Sequence, residues 1–254
     1  MTSSPRARLT RLHRRALVAV ATDMTATTAT RSALVLAPHP DDETIGCGAT
    51  IARKAAAGTP VRVVVAADGG NARRRAECVE ACARLGVGTS DVVFLGFPDG
   101  DLEHHRHDLD ARVRELVVDT NADEVFAPAV IDAHSDHRVL AASVEALRHD
   151  ALVSTSVLAY PIWYWNRWAW VDRATPRWLQ AAQLLWRPLA ATARARPRIV
   201  SAREFGTLKR SALDAHASQV DAGAAGAGSE VLDPEWLALF LGDEELFFSE
   251  WDAR

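Results

Sequence analysis

The chain has almost no lysine. Of its 29 basic residues only Lys54 and Lys209 are lysines and the rest are arginine, a bias that genomic base composition explains. The 33 acidic residues outnumber them and set the net charge at -4, which excludes the broadly basic surface of a nucleic-acid-binding protein. Cysteine is scarce as well. Cys47, Cys78 and Cys82 are an odd set without a regular framework, which argues against a disulfide scaffold and for a reducing, cytoplasmic compartment. Cys78 and Cys82 stand four apart on a predicted helix and read as small buried thiols rather than metal ligands. Long apolar runs are missing too. The six residues Ala16–Ala21 after Arg14-Arg15 fall short of the roughly seven to fifteen of a signal peptide. No other segment reaches the roughly 20 apolar residues of a transmembrane span.

What is present is an ordinary globular composition, 48% apolar and 24% charged over 254 residues, enough for one domain with a large core. Charge is uneven: residues 1–31 hold six arginines against Asp23 alone, a local +5 that leaves about -9 for the rest of a chain of net charge -4. Residues 1–31 therefore read as a basic, amphipathic lead-in and 32–254 as a single domain. Continuous β-type runs at 33–37, 61–67, 92–95, 124–127 and 153–160 alternate with helical stretches at 44–57, 71–85, 108–120 and 136–148. That alternation predicts an open three-layer α/β fold, Rossmann-like, around a mostly parallel sheet with right-handed crossovers. From residue 160 the texture changes, and this C-terminal portion is expected to shape the substrate cleft. Four of the eight tryptophans fall within residues 161–170, at near-alternate spacing compatible with a strand burying one face. A helical stretch follows to about 198, then a Gly/Ala loop at 222–228 and a last helical stretch at 234–241.

The polar clusters follow the strands, where ligands bind in such sheets. Pro38-His39-Pro40-Asp41-Asp42-Glu43 comes directly after the first strand. His39 and Asp42, three apart at a strand-to-helix turn, can converge on one point, and imidazole nitrogen with carboxylate oxygen suits Zn²⁺. Asp132-Ala133-His134-Ser135-Asp136-His137 follows the fourth strand, and a parallel sheet brings both turns to one edge. The second cluster can then supply a third ligand and leave an open position for water, as in catalytic zinc sites. Taken singly, each cluster reads as a helix cap beside a surface histidine; together they point to a metal. Glu43 and Thr44 read as first-turn helix residues.

These motifs resemble the LmbE-like, or PIG-L, family of zinc-dependent N-acetylglucosaminyl deacetylases. The opening motif at 38–43 is specific to it, and His134-Ser135-Asp136-His137 stands for its second block with serine in place of the usual proline. Arg74-Arg75-Ala76-Glu77, Phe97-Pro98-Asp99-Gly100 and His216-Ala217-Ser218-Gln219 also look like the family. The resemblance implies a hydrolase that releases acetate and a free amine from a GlcNAc-type amino-sugar conjugate. It implies His39, Asp42 and His137 as ligands of zinc (the same set accepts Fe²⁺), Asp41 as general base and His134 as general acid. Arg74 and Asp99 match positions that hold sugar hydroxyls, with Arg73 and Arg75 leaving the arginine ambiguous by one position. Asp132 and Asp136 are expected to orient the histidines, Asp136 alternatively to cap a helix, and His216 and Gln219 are candidates to reach the site. Competing readings are a related zinc amidase cleaving a glucosaminyl thiol conjugate, and a non-catalytic sugar-binding protein. The expected partner is a small molecule, and a homo-oligomer is left open.

Overall fold

The computed structural model describes residues 5–148, 155–172, 174–224 and 231–249. In chain order the elements are α1 (Pro5–Val20), β1 (Thr22–Asp23), α2 (Thr25–Ala29), β2 (Ala33–Ala37), α3 (Asp42–Ala56), β3 (Val61–Ala67), α4 (Ala72–Arg84), β4 (Val92–Phe97) and α5 (Arg106–Thr120). They continue with β5 (Glu124–Pro128), α6 (Ser135–Arg148), β6 (Ser156–Tyr160), α7 (Arg177–Arg194), β7 (Pro197–Ser201), α8 (Gly206–Ala215), α9 (Ala217–Val220), α10 (Pro234–Leu237) and β8 (Glu244–Phe248).

The apolar strand runs build one eight-stranded sheet, ordered β1-β7-β8-β6-β5-β2-β3-β4. Every pairing is parallel except those of β8, which runs antiparallel to both β6 and β7. Residues of β2 alternate between two cores, since successive side chains of a strand point to opposite faces. Ala33, Val35 and Ala37 join a core under α3, α4 and α8, while Leu34 and Leu36 join one under α5 and α6. This is the expected three-layer α/β architecture. Close packing fixes α3: a Cβ added at Gly46 would lie 2.6 Å from the Tyr160 ring, and one at Gly48 would lie 2.9 Å from the Lys209 side chain.

The C-terminal half departs from the expected elements. The tryptophan run forms two 3-10 turns, Trp163–Trp165 and Arg167–Ala169, rather than a strand. Tyr164, Trp165 and Trp170 enter a third core, and Trp163 stacks on Trp236 at 4.5 Å between ring centroids. Indole N–H groups decide against a strand here. Trp165 and Trp170 donate to the carbonyls of Pro161 and Tyr164 at 3.0 and 2.9 Å, bonds that need a curled backbone. The helical stretch expected to about 198 ends at Arg194 and gives way to β7, and that at 234–241 shortens to α10. Residues 149–154, which include the first two residues of the fifth expected strand, and 225–230, which include the end of the Gly/Ala loop, lie outside the described residues. Among the described residues no helix is long and apolar enough to cross a membrane.

Candidate metal centre and active site

The site forms where β2 and β5, neighbours in the sheet, release their chains toward α3 and α6. Asp41 caps α3 with φ 132°, a backbone setting uncommon for a residue with a side chain. The Glu43 carboxylate braces it. Its Oε2 accepts the Asp41 N–H at 3.0 Å, while Oε1 accepts the Thr44 hydroxyl at 2.7 Å and faces His216 Nε2 at 3.0 Å. A carboxylate reaching back to the N–H of the cap residue follows the logic of a capping box.

One residue further on, Asp42 turns inward. Its Oδ2 accepts the His39 backbone N–H at 3.0 Å and lies 3.2 Å from His39 Nδ1 and 3.1 Å from His137 Nε2. His137, in the first turn of α6, has Asp132 Oδ2 3.3 Å from its Nδ1. His134 lies at the mouth, its ring 4.7 Å from that of His39. One ring nitrogen each from His39, His134 and His137 come within 4.8 Å of one another, as do donor atoms of His39, Asp99 and Asp136. The expected ligands are thus together, with His134 close enough to be a further donor.

Whether these residues fit a metal can be tested on His137. It is wholly buried, and neither ring nitrogen makes a hydrogen bond although carboxylate oxygens stand 3.1 and 3.3 Å away. The separations suit a hydrogen bond but the directions do not. A buried polar atom left in this state costs about 1–3 kcal/mol, which a cation shared with Asp42 would remove. The donor set of imidazoles and carboxylate suits zinc and also accepts ferrous iron. The fit is good.

The electrostatics separate two adjacent carboxyl groups. Burial and the charge of Asp42 raise Asp41 to about 7, against the pull of Arg74 and His216. Asp42 goes the other way: burial opposes its charge, but His137 and His39 outweigh that and hold it ionised. Burial would lower His137, yet Asp42 and Asp132 carry it to about 9. His134 is lowered by burial and by the other two histidines.

Of the three adjacent arginines, Arg74 is the one that reaches the cluster. Its guanidinium reaches Asp99 at 3.2 Å, the Pro40 carbonyl at 3.1 Å and Asp41 at 3.7 Å, whereas Arg73 pairs with Glu77 and Arg75 with Asp68. Asp132 accepts the N–H groups of His134 and Trp163 at 2.8 and 3.0 Å. Asp136 does not cap α6. It accepts the N–H of Gly100 at 2.8 Å and of Leu102 at 3.3 Å and faces His39 Nε2 at 3.2 Å. His216 meets the cluster through Glu43, while Gln219 turns to Ser218 Oγ at 3.0 Å. Glu43 is the residue the sequence reading undervalued. Its reach back to Asp41 was visible as an acidic side chain in the first turn, but the buried histidine that fixes it lies 173 residues away. Cys78 and Cys82 also lie near Glu43. The hydrogen bond with Cys82 and burial raise the Cys78 thiol, and burial raises that of Cys47, so they stay protonated.

Comparison with known proteins follows the same segment. The model of the PIG-L family, GlcNAc-PI de-N-acetylase, matches residues 34–147, and no curated protein matches the chain. Among solved structures, the N,N'-diacetylchitobiose deacetylase of Pyrococcus horikoshii is similar with a TM-score of 0.57 and 20% identity, over 88% of this chain and 83% of that one. The A40926 pseudoaglycone deacetylase Dbv21 gives 0.58 and 20%, over 89% and 100%. GalB, a 4-carboxy-2-hydroxymuconate hydratase of Pseudomonas putida, gives 0.50 and 16%, over 89% and 98%. At such identities the likeness establishes the fold. Residues 34–147, the segment similar to the PIG-L family, contain the whole histidine and aspartate cluster.

Proposed function

We propose that the chain is a metal-dependent hydrolase that removes the N-acetyl group from a GlcNAc-type amino-sugar conjugate, releasing acetate and a free amine. The observation that carries this reading is the meeting of His39, Asp42 and the unbonded His137 beside Asp41. The family matched by that segment is described as a GlcNAc-PI de-N-acetylase, and two neighbours are named as deacetylases. The fold alone would not carry it, because a hydratase shares it.

In this reading His39, Asp42 and His137 hold zinc. Bound zinc lowers the pKa of water to about 7 and polarises a carbonyl. Asp41 takes the proton of the attacking water, a task that suits a carboxyl group whose pKa lies near the working pH. His134, half-buried at the mouth, gives a proton to the departing amine. Arg74 and Asp99, paired at 3.2 Å, hold sugar hydroxyls. Asp132 and Asp136 keep the rings of His137 and His39 in place. The three free, buried cysteines support a reducing, cytoplasmic setting.

Zinc-loaded protein incubated with N-acetylglucosaminyl-inositol should release acetate and amine in equal amounts. Amine from a glucosaminyl thiol conjugate, with no acetate from the first substrate, would replace this reading by the amidase. No release from either by fully metallated protein would leave a sugar-binding protein.

A further inference from the structure

Large apolar side chains are rarely exposed on this protein, and where they are, they cluster. Nine are exposed among the described residues, and seven of these belong to α1 or α7. The two helices touch through His13 and Thr192, 2.7 Å apart. On α7 the exposed Trp178, Trp186 and Leu189 fall within about 80° of one another around the axis, a single face at helical periodicity. On α1 the orientation is inverted relative to an ordinary surface helix. Leu9, Leu12, Ala16 and Val20 are exposed and bordered by the exposed Arg8 and Arg15, while Arg14 turns inward to the Glu244 carbonyl.

The charge carried by the two helices themselves has one sign, and an acidic neighbour of α1, Glu235, pairs with Arg11 at 3.5 Å. The α1 sequence holds five arginines and that of α7 three, and neither contains Asp or Glu, although the whole chain carries -4. Exposed Trp and Leu bordered by Arg is the composition of a helix lying in a membrane interface. Neither helix is long and apolar enough to span, so such a face would lie on a bilayer rather than cross it. A second copy fits less well. A two-fold contact sets a patch against itself, and here it would bring arginines together with no acidic residue from either helix between them.

We propose that the α1–α7 face docks the protein on an anionic lipid surface. Leu9, Leu12, Trp178, Trp186 and Leu189 enter the boundary between headgroups and acyl chains, and Arg15 and Arg177 meet the lipid phosphates.

The test is co-sedimentation of the full chain with phosphatidylcholine vesicles, with and without about 30 mol% phosphatidylglycerol, at low and high salt. Binding is expected only with phosphatidylglycerol and should weaken with salt. The triple variant Trp178→Ser/Trp186→Ser/Leu189→Ser should reduce partitioning by about tenfold or more. Leu9→Ser/Leu12→Ser, on the other helix, should reduce it independently, with thermal melts confirming that both variants fold. Absence of wild-type binding to the anionic vesicles would overturn the proposal, as would binding untouched by either variant. A concentration-dependent dimer abolished by both variants would assign the face to a second copy instead. None of these measurements needs metal or turnover, so their outcome is separate from that of the deacetylase reading.

Discussion

Two parts of this molecule bury charge and do so in opposite ways. The chain's only lysines are both interior, and each is paired with a buried glutamate and at least one backbone carbonyl. Lys54 reaches Glu124 at 2.7 Å and the carbonyls of Thr28 and Arg31 at 2.6 Å each. Lys209 reaches Glu245 at 2.6 Å and the Ile45 carbonyl at 2.8 Å, and Glu245 also accepts the N–H groups of Ala49 and Thr50 at 2.8 Å each. At the sheet edge the balance is reversed. His39 and His137 face several carboxylates, Asp41 sits beside an ionised neighbour, and the His137 nitrogens have no hydrogen bond. The lysine pairs are complete and structural; the histidine cluster is incomplete in a way that a bound cation would resolve.

This contrast can be broken by experiment, and the largest effect belongs to the incomplete site. Asp41→Ala should lower acetate release by about 10²–10⁴-fold with zinc content unchanged, and near-normal release would remove Asp41 from the chemistry. Lys209→Met should cost about 3–5 kcal/mol in a denaturant titration, because Glu245 is left charged and buried. Activity per folded molecule should stay close to that of the parent. Zinc at about one hundred times its Kd should stabilise the parent by about 2.7 kcal/mol and His137→Ala far less; equal stabilisation would place the metal elsewhere. His216→Ala leaves the Glu43 carboxylate without its buried partner and should cost about 1–3 kcal/mol. It should also reduce kcat more than KM, since Glu43 then braces Asp41 less firmly.

The smallest effect is the pH dependence of that last pair. Burial works against both charges, but each partner outweighs it, raising His216 above its ordinary 6.5 and lowering Glu43 below its ordinary 4.5. The histidine contribution is complete below 6.5 and is lost as pH rises through the folded value. The glutamate contribution is complete above 4.5 and is lost as pH falls through its folded value. The stability difference between the parent and His216→Ala should therefore be greatest between about 4.5 and 6.5. A difference that fails to shrink on either side of this range would mean the pair is not ionised in the folded protein.

Legibility from sequence followed the range of the interactions. The strands at 33–37, 61–67 and 124–128 are continuous apolar runs because both faces are covered, and that pattern is local. The His39–Asp42 and His134–His137 clusters were legible for the same reason, each lying within one turn, and parallel topology brought them together. The form of the tryptophan run was not legible because its near-alternate spacing is compatible with a strand as well as with turns, and only the indole bonds to nearby carbonyls select the 3-10 turns. Glu244-Glu245-Leu246-Phe247-Phe248 was missed as a strand because its two glutamates mask the pattern. One of them is drawn inward by Lys209, 36 residues away. The rarity of lysine was visible from the start; its meaning needed the partners.

The antiparallel β8 has a consequence for how the protein comes to be made. β1 and β7 join the other strands only through β8, which hydrogen-bonds to β6 on one side and β7 on the other. A ribosome delivers β1 long before β8, yet that strand has no seat in the sheet until residues 244–248 have emerged. The five strands from β4 to β6 can pair before then, and the edge that carries the histidine and aspartate cluster lies among them. The last strand thus acts as a clasp, and synthesis halted before it would leave the edge cluster in place with the amino-terminal helix and strand undocked.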